Sequence, residues 1–244
     1  MKEFFVNGLV SPLLYGEAET TAIVVTVICY LVTIFAAYLL GSLNFAIIIS
    51  GKQYRQDIRN FGSKNAGMTN MMRTYGKKAA GLTLLGDALK AAVSCLLGYA
   101  LLGQMGAYIA GLFCIIGHMF PLYYRFKGGK GVVTAAVTVL MCNPFVFLIL
   151  FVLFVVIVLC TKYISLGSVM CMLLYPILLD RIDRWLFGGA PYVWIAALMT
   201  VLVVVKHWEN IKRLSQGKES KFSFKKSVKA PTEENKEKIE EDAK

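Results

Sequence analysis

The sequence predicts an all-α, polytopic membrane protein. Three observations carry that reading. The chain of 244 residues is 57% hydrophobic and only 17% charged, where a soluble domain holds about a quarter of its residues as charges. Its apolar runs reach the roughly 20 residues that a helix needs to cross a bilayer. The charged residues lie mostly outside those runs. Met1 to Glu19 lacks the basic, then apolar, then small order of a cleavable signal.

Seven apolar helices follow one another. The first covers Ala22 to Ser50; it exceeds a bare span and contains Gly41, Ser42 and Asn44, which predicts tilt or a kink. The second runs from Ala79 to Gly103 and the third from Met105 to Tyr124. The fourth, Val132 to Cys142, is short. Asn143-Pro144 breaks the run after it, because proline suits a helix start and not its middle. The fifth covers Pro144 to Cys160, the sixth Leu166 to Phe187 and the seventh Tyr192 to Val205. Reading Val132 to Cys160 as one helix gives six spans instead.

Charge decides between these counts, since Lys and Arg accumulate in cytoplasmic loops. With seven spans, the first loop carries seven cations on the inner side: Lys52, Arg55, Arg59, Lys64, Arg73, Lys77 and Lys78. Arg125, Lys127, Lys130, Lys162 and the C-terminal tail join them, leaving Lys2, Arg181 and Arg184 outside among acidic residues. Six spans would move Lys162 and the tail across. The expectation is therefore an outer N-terminus, a cytoplasmic C-terminus and one transmembrane domain over residues 1–214. A disordered, charged tail is expected over residues 215–244. Tyr54, Ile58 and Phe61 recur at helical spacing opposite Lys52, Arg55 and Arg59, which predicts an amphipathic helix on the inner leaflet.

The net charge of +11 fits this inner-face excess and needs no nucleic acid partner. The six cysteines stand singly in apolar spans with no metal-ligand spacing, so no metal or other cofactor is expected.

Five polar clusters fall at the predicted inner face. FKGGKG (Phe126 to Gly131) joins glycines, which let backbone N–H groups approach an anion, to Lys127 and Lys130. It is not a Walker A loop, because Gly131 follows Lys130 where Ser or Thr is needed. The loop FGSKNAGMTNMMR (Phe61 to Arg73) adds Ser63, Asn65, Asn70 and Arg73. His118 lies one turn from the cytoplasmic end of the third predicted span and His207 ends the seventh, which puts both at one depth on one face. Asp87 and Lys90 lie three apart on one helix face, either as a structural ion pair or as part of a ligand site. Ser165 and Ser168 open the sixth helix, where they cap it or present hydroxyls to a phosphate. Asn210 and Arg213 follow His207 at helical spacing. This inventory is rich in cations and poor in carboxylates, as anion binding requires. It has no His-x4-Asp acyltransferase motif, since Tyr123 and Lys212 stand five beyond the two histidines.

At these residues the chain resembles the bacterial integral-membrane glycerol-3-phosphate acyltransferases that use acyl phosphate. The likeness runs from about Tyr38 to Glu219. It takes in YLLGS (Tyr38 to Ser42), GSKNAGMTNMMR (Gly62 to Arg73), Asp87 with Lys90, GHMFPLYYRFKGGKGVVTA (Gly117 to Ala135), YISLGS (Tyr163 to Ser168) and HWENIKRL (His207 to Leu214). The resemblance implies a seven-helix bundle in a bacterial cell membrane with its site at the cytoplasmic face. It implies acyl phosphate and glycerol 3-phosphate as substrates, and lysophosphatidate and inorganic phosphate as products. It also implies functional positions: Ser63, Asn65, Asn70 and Arg73; His118, Lys127, Gly128, Gly129 and Lys130; Ser165 and Ser168; His207 and Asn210. Departures are Lys64 where the family usually has glycine, Asn44 and Ala46 after Gly41-Ser42, and Gly167 in place of serine or alanine.

On this reading Arg73, Lys130 and Ser63 bind phosphate, and Ser165, Ser168, His207 and Asn210 add polar contacts. The proton acceptor is His118 or the substrate's own phosphate. An acyl-serine at Ser63 lacks an activating triad. The rival class is a membrane carrier for phosphorylated metabolites; the inverted repeats that would support it are not seen between the two halves.

Overall fold

The computed structural model describes residues 8–14, 18–187 and 192–222. They are helical, with short turns and loops between the helices, and the chain is an all-α, polytopic membrane protein. After a single turn at Val10–Leu13, the helices are α1 (Glu19–Ser42), α2 (Phe45–Tyr54), α3 (Met68–Tyr75), α4 (Lys77–Met119), α5 (Val132–Cys142), α6 (Pro144–Thr161), α7 (Ile164–Phe187), α8 (Val193–Lys206) and α9 (Trp208–Ser215). Four described stretches are long and apolar enough to cross a membrane: Glu19–Tyr54, Lys77–Tyr124, Pro144–Thr161 and Ile164–Trp185. Counting the bent pair α8 and α9 as one span makes five. Helix α5, at 11 residues, rises only about 16 Å, against roughly 30 Å of hydrocarbon.

The described residues form two compact units. One holds those up to Asn44 and from Gly86 to Phe222; the other runs from Phe45 to Leu85.

In the larger unit, α4 is two legs rather than one rod. Leu102 and Gly103 leave helical geometry, and Gly103 takes a φ of 61°. Lys90 meets His118 and the backbones of Gly98 and Gly106 touch, so the legs run antiparallel. A Cβ on Gly98 would lie 2.2 Å from the Gly106 carbonyl oxygen, so glycine alone permits that approach. The break sits where the sequence separates its second and third helices. Asn143 caps α6, accepting from the Val146 N–H at 3.1 Å, with Pro144 in the first turn. The core gathers Tyr108, Ile115, Met119, Val139, Tyr175, Met199 and Val203, while α6 turns Phe145, Leu148, Phe151 and Leu159 outward, as lipid contact requires.

The YLLGS motif ties α1 to the end of α4. The Tyr38 hydroxyl donates to the Phe120 carbonyl at 3.0 Å, and Ser42 Oγ accepts from the Leu122 N–H at 3.2 Å. The long first helix is interrupted at Leu43 and Asn44, within the stretch 41–44 that the sequence marks as irregular.

Two expectations change. No single amphipathic helix links Tyr54 to Phe61. Arg55 adopts the left-handed region at φ 49°, ending α2, and only the 3-10 turn Ile58–Asn60 follows. Ser50 fastens this corner: its carbonyl takes the Gln56 N–H and its hydroxyl the Ile58 N–H. Tyr75 stacks on Tyr54 with ring centres 3.9 Å apart. Order also continues past Ser215. The Phe222 N–H donates to the Lys162 carbonyl at 2.7 Å and Glu219 is held by three side chains. The rest of the expected tail, 223–244, lies outside the described residues.

Candidate active site

Within the larger unit, several of the predicted residues gather in two polar groups, the first buried and the second partly so. The first centres on Lys90, whose ammonium lies 2.7 Å from the Leu43 carbonyl, 3.0 Å from that of Gly41 and 2.9 Å from His118 Nδ1. The two carbonyls are left unpaired by the end of α1, so the ammonium caps that helix. Asp87 Oδ1 lies 2.8 Å from the same ammonium, close enough to balance its charge without an aligned hydrogen bond, and 3.5 Å from His118 Nδ1. The sequence paired Asp87 with Lys90; the hairpin adds His118 to them.

The second group links three segments. Lys130, from the glycine-rich loop, donates to Asn210 Oδ1. The Asn210 amide donates to Glu219 Oε1 at 2.7 Å, and Ser165 Oγ donates to the same oxygen at 2.8 Å. Arg213 Nε reaches Glu219 Oε2 at 2.8 Å. Burial works against the Glu219 carboxylate, but these donors outweigh it and hold its pKa below the ordinary value. The sequence reading gave Glu219 no role. Its signal was a lone acid between Lys218 and Lys221.

Other predicted residues are engaged locally. Ser168 Oγ donates back to the Ile164 carbonyl at 2.9 Å. His207 Nδ1 meets the Val203 carbonyl at 2.8 Å. The Gly128 and Gly129 N–H groups donate to the Met119 and His118 carbonyls at 3.2 and 3.1 Å. Those amides therefore cap α4 here rather than facing outward. A Cβ at Gly128 would stand 2.0 Å from the His118 carbonyl oxygen, so the position needs glycine for space. Lys127 is exposed and Lys130 half-buried.

In the smaller unit, Asn70 organises the loop that carries Ser63. Its amide donates to the carbonyls of Ile58, Phe61 and Asn65 at 3.2, 2.9 and 3.1 Å, and its oxygen accepts from the Ser63 N–H at 3.0 Å. The Asn65 carbonyl is thereby used, while the Ser63 side chain is exposed and Arg73, on α3, is half-buried. Asp57 caps the adjoining 3-10 turn; the Arg59 guanidinium, bonded to its carboxylate, lowers its pKa. Among the described residues no cluster of His, Cys, Asp or Glu has the makings of a metal site.

Comparison with known proteins places this arrangement. A family model described as glycerol-3-phosphate acyltransferase matches residues 31–217. The chain belongs to the glycerol-3-phosphate acyltransferase family. It is 43% identical over 188 residues to the glycerol-3-phosphate acyltransferase of Finegoldia magna, covering 76% of this chain and 92% of that protein. The enzyme of that name from Thermoanaerobacter pseudethanolicus is 38% identical over 198 residues, covering 81% and 98%. Two crystal structures of PlsY, an integral membrane glycerol 3-phosphate acyltransferase, share the fold. The glycerol 3-phosphate form has a TM-score of 0.73 at 34% identity, and the lysophosphatidic acid form 0.70 at 31%; each covers 80% of this chain and 96% of the other. The acyltransferase match ends at Gly217, two residues before the Glu219 carboxylate that joins Ser165 to Asn210.

Proposed function

We propose that this chain transfers a fatty acyl group from acyl phosphate to the 1-hydroxyl of sn-glycerol 3-phosphate, releasing inorganic phosphate and lysophosphatidate. Family membership supports the reaction, as do the PlsY structures, described as glycerol 3-phosphate and lysophosphatidic acid forms. The observation that carries it to particular residues is the Lys130–Asn210–Glu219–Ser165 network, which draws a cation and neutral donors from three segments into one place.

The donor is an activated anhydride, so the protein's work is to hold two anionic substrates in line and to steady the charge on the leaving phosphate. Lys130 and Arg73 supply positive charge to the phosphates, with Lys127 and Ser63 as further ligands. Asn210, Ser165 and His207 orient the substrates, and Asn65, Asn70, Ser168, Gly128 and Gly129 shape the loops around them. The acyl chain lies in the lipid between helices. The attacking hydroxyl forms the new ester bond as the acyl–phosphate bond breaks, and its proton leaves with the phosphate. Seven spans, with the N-terminus outside and the site at the cytoplasmic face, are the topology that the Lys/Arg bias supports.

The test is a comparison of donors. Purified protein in detergent, given glycerol 3-phosphate, should release phosphate from acyl phosphate and show no comparable transfer from an acyl thioester. Thioester preference would overturn the donor. Absence of any transfer, with glycerol 3-phosphate transport in sealed vesicles, would make the protein a carrier.

A further inference from the structure

The two histidines of this chain sit against partners of opposite chemistry. The Lys90 ammonium has only donors. As an ammonium it bears three hydrogens and no lone pair: two hydrogens reach the Gly41 and Leu43 carbonyls, the third faces the His118 ring, and the Asp87 carboxylate balances the charge. His118 Nδ1, 2.9 Å away, must therefore accept, and the ring's one proton sits on Nε2. The competing arrangement would turn an Nδ1–H toward that ammonium to reach Asp87 across 3.5 Å. His207 is held the other way. A carbonyl oxygen only accepts, so Nδ1, at 2.8 Å from Val203, carries a proton; burial of the ring and the nearby Lys130 charge disfavour a second one, which leaves Nε2 its lone pair. His118, Lys90 and His207 are at most 4% exposed and Asp87 1%, so bulk water does not take over these roles.

We propose that the two histidines are locked as opposite neutral tautomers. Lys90 is the positioning residue that makes His118 a hydrogen-bond donor at Nε2, and not the base, in acyl transfer. The anchoring carbonyls at the end of α1 hold the ammonium in place independently of the ring. The part concerning acyl transfer rests on the reaction proposed above; the tautomers do not.

The experiment uses full-length protein in detergent with 15N-labelled histidine and long-range proton–nitrogen correlation spectra. Since the chain has two histidines, the parent should show one Nε2–H ring and one Nδ1–H ring. His118→Gln should remove the Nε2–H set. Lys90→Met should mix the His118 tautomers, and Lys90→Arg should preserve the pattern. Two rings of the same tautomer, or a His118 pattern unmoved by Lys90→Met, would overturn the proposal. The parent spectrum decides the tautomers even if a variant folds poorly.

Kinetics supply the second arm. Glutamine keeps an N–H near the Nε2 position, so His118→Gln should retain about tenfold more kcat than His118→Ala, a difference of one hydrogen bond or about 1.4 kcal/mol. KM for glycerol 3-phosphate should stay within about threefold in both, because the donor's contribution is to kcat. Equal losses of about 10² to 10⁴ in both variants are what a general base gives and would overturn the donor role. The expected tautomers with no acyl transfer from any donor would overturn the acyltransferase reading and the donor role together, and leave the tautomers supported.

Discussion

At the scale of single residues, the question a sequence leaves open is whether a polar group is spare or already used. Asn70, Gly128 and Gly129 stand in the right motifs, yet the structure uses their donors to hold the loops themselves. Hydrogen-bonding capacity is visible in a residue's chemistry, but its partner depends on positions far along the chain. Lys64 shows the same dependence for the backbone. It sits at φ 57°, left-handed like Gly62 beside it, where an L residue costs about 1 to 2 kcal/mol. Glycine relieves that strain but loses about 0.4 to 1 kcal/mol through its freer unfolded chain. Lys64→Gly should therefore raise stability by up to about 1.6 kcal/mol, seen as an upward shift in Tm in detergent. A clear fall in Tm would mean that the lysine side chain itself holds the loop.

At the scale of elements, the helix limits set by local breakers were legible. Asn143-Pro144 starts α6, and Gly103 parts the legs of α4 where the apolar pattern pauses. The corner after α2 was not, because the hydrophobic period continues through Arg55 while contacts from Ser50 and Tyr75 turn the chain there. The closeness of the two legs of α4 was hidden too, since a glycine in an apolar helix reads the same whether it faces lipid or another backbone. The hairpin makes a direct prediction. Gly98→Ala puts a methyl group 2.2 Å from the Gly106 carbonyl oxygen, an overpacking of the kind that costs about 1 to 3 kcal/mol or more. Gly81→Ala meets nothing within 4 Å and gains helix propensity of roughly 1 kcal/mol. Thermal unfolding of the two variants should move in opposite directions; a Gly98→Ala protein as stable as its parent would show that the legs can separate freely.

At the scale of the whole molecule, charge and apolar length were enough to recognise a polytopic membrane protein, and the ordered motifs were enough to recognise its family. The number of crossings is harder, because α5 is short and α8 bends into α9. Sidedness gives the decisive measurement. In a cysteine-free background, Lys127→Cys, at an exposed position, should react with a membrane-impermeant maleimide only from the cytoplasmic side. Reaction from the outside would reverse the proposed orientation.

The Glu219 clasp bears on how such measurements are built. Reporter proteins are often joined to the end of the last helix, and here that habit would place the junction near Ser215, where α9 ends. A fusion made there discards the carboxylate that Ser165, Asn210 and Arg213 share. Junctions placed after Phe222 retain it, along with the Phe222–Lys162 backbone bond, so the reporter would describe an intact enzyme rather than one already pried open.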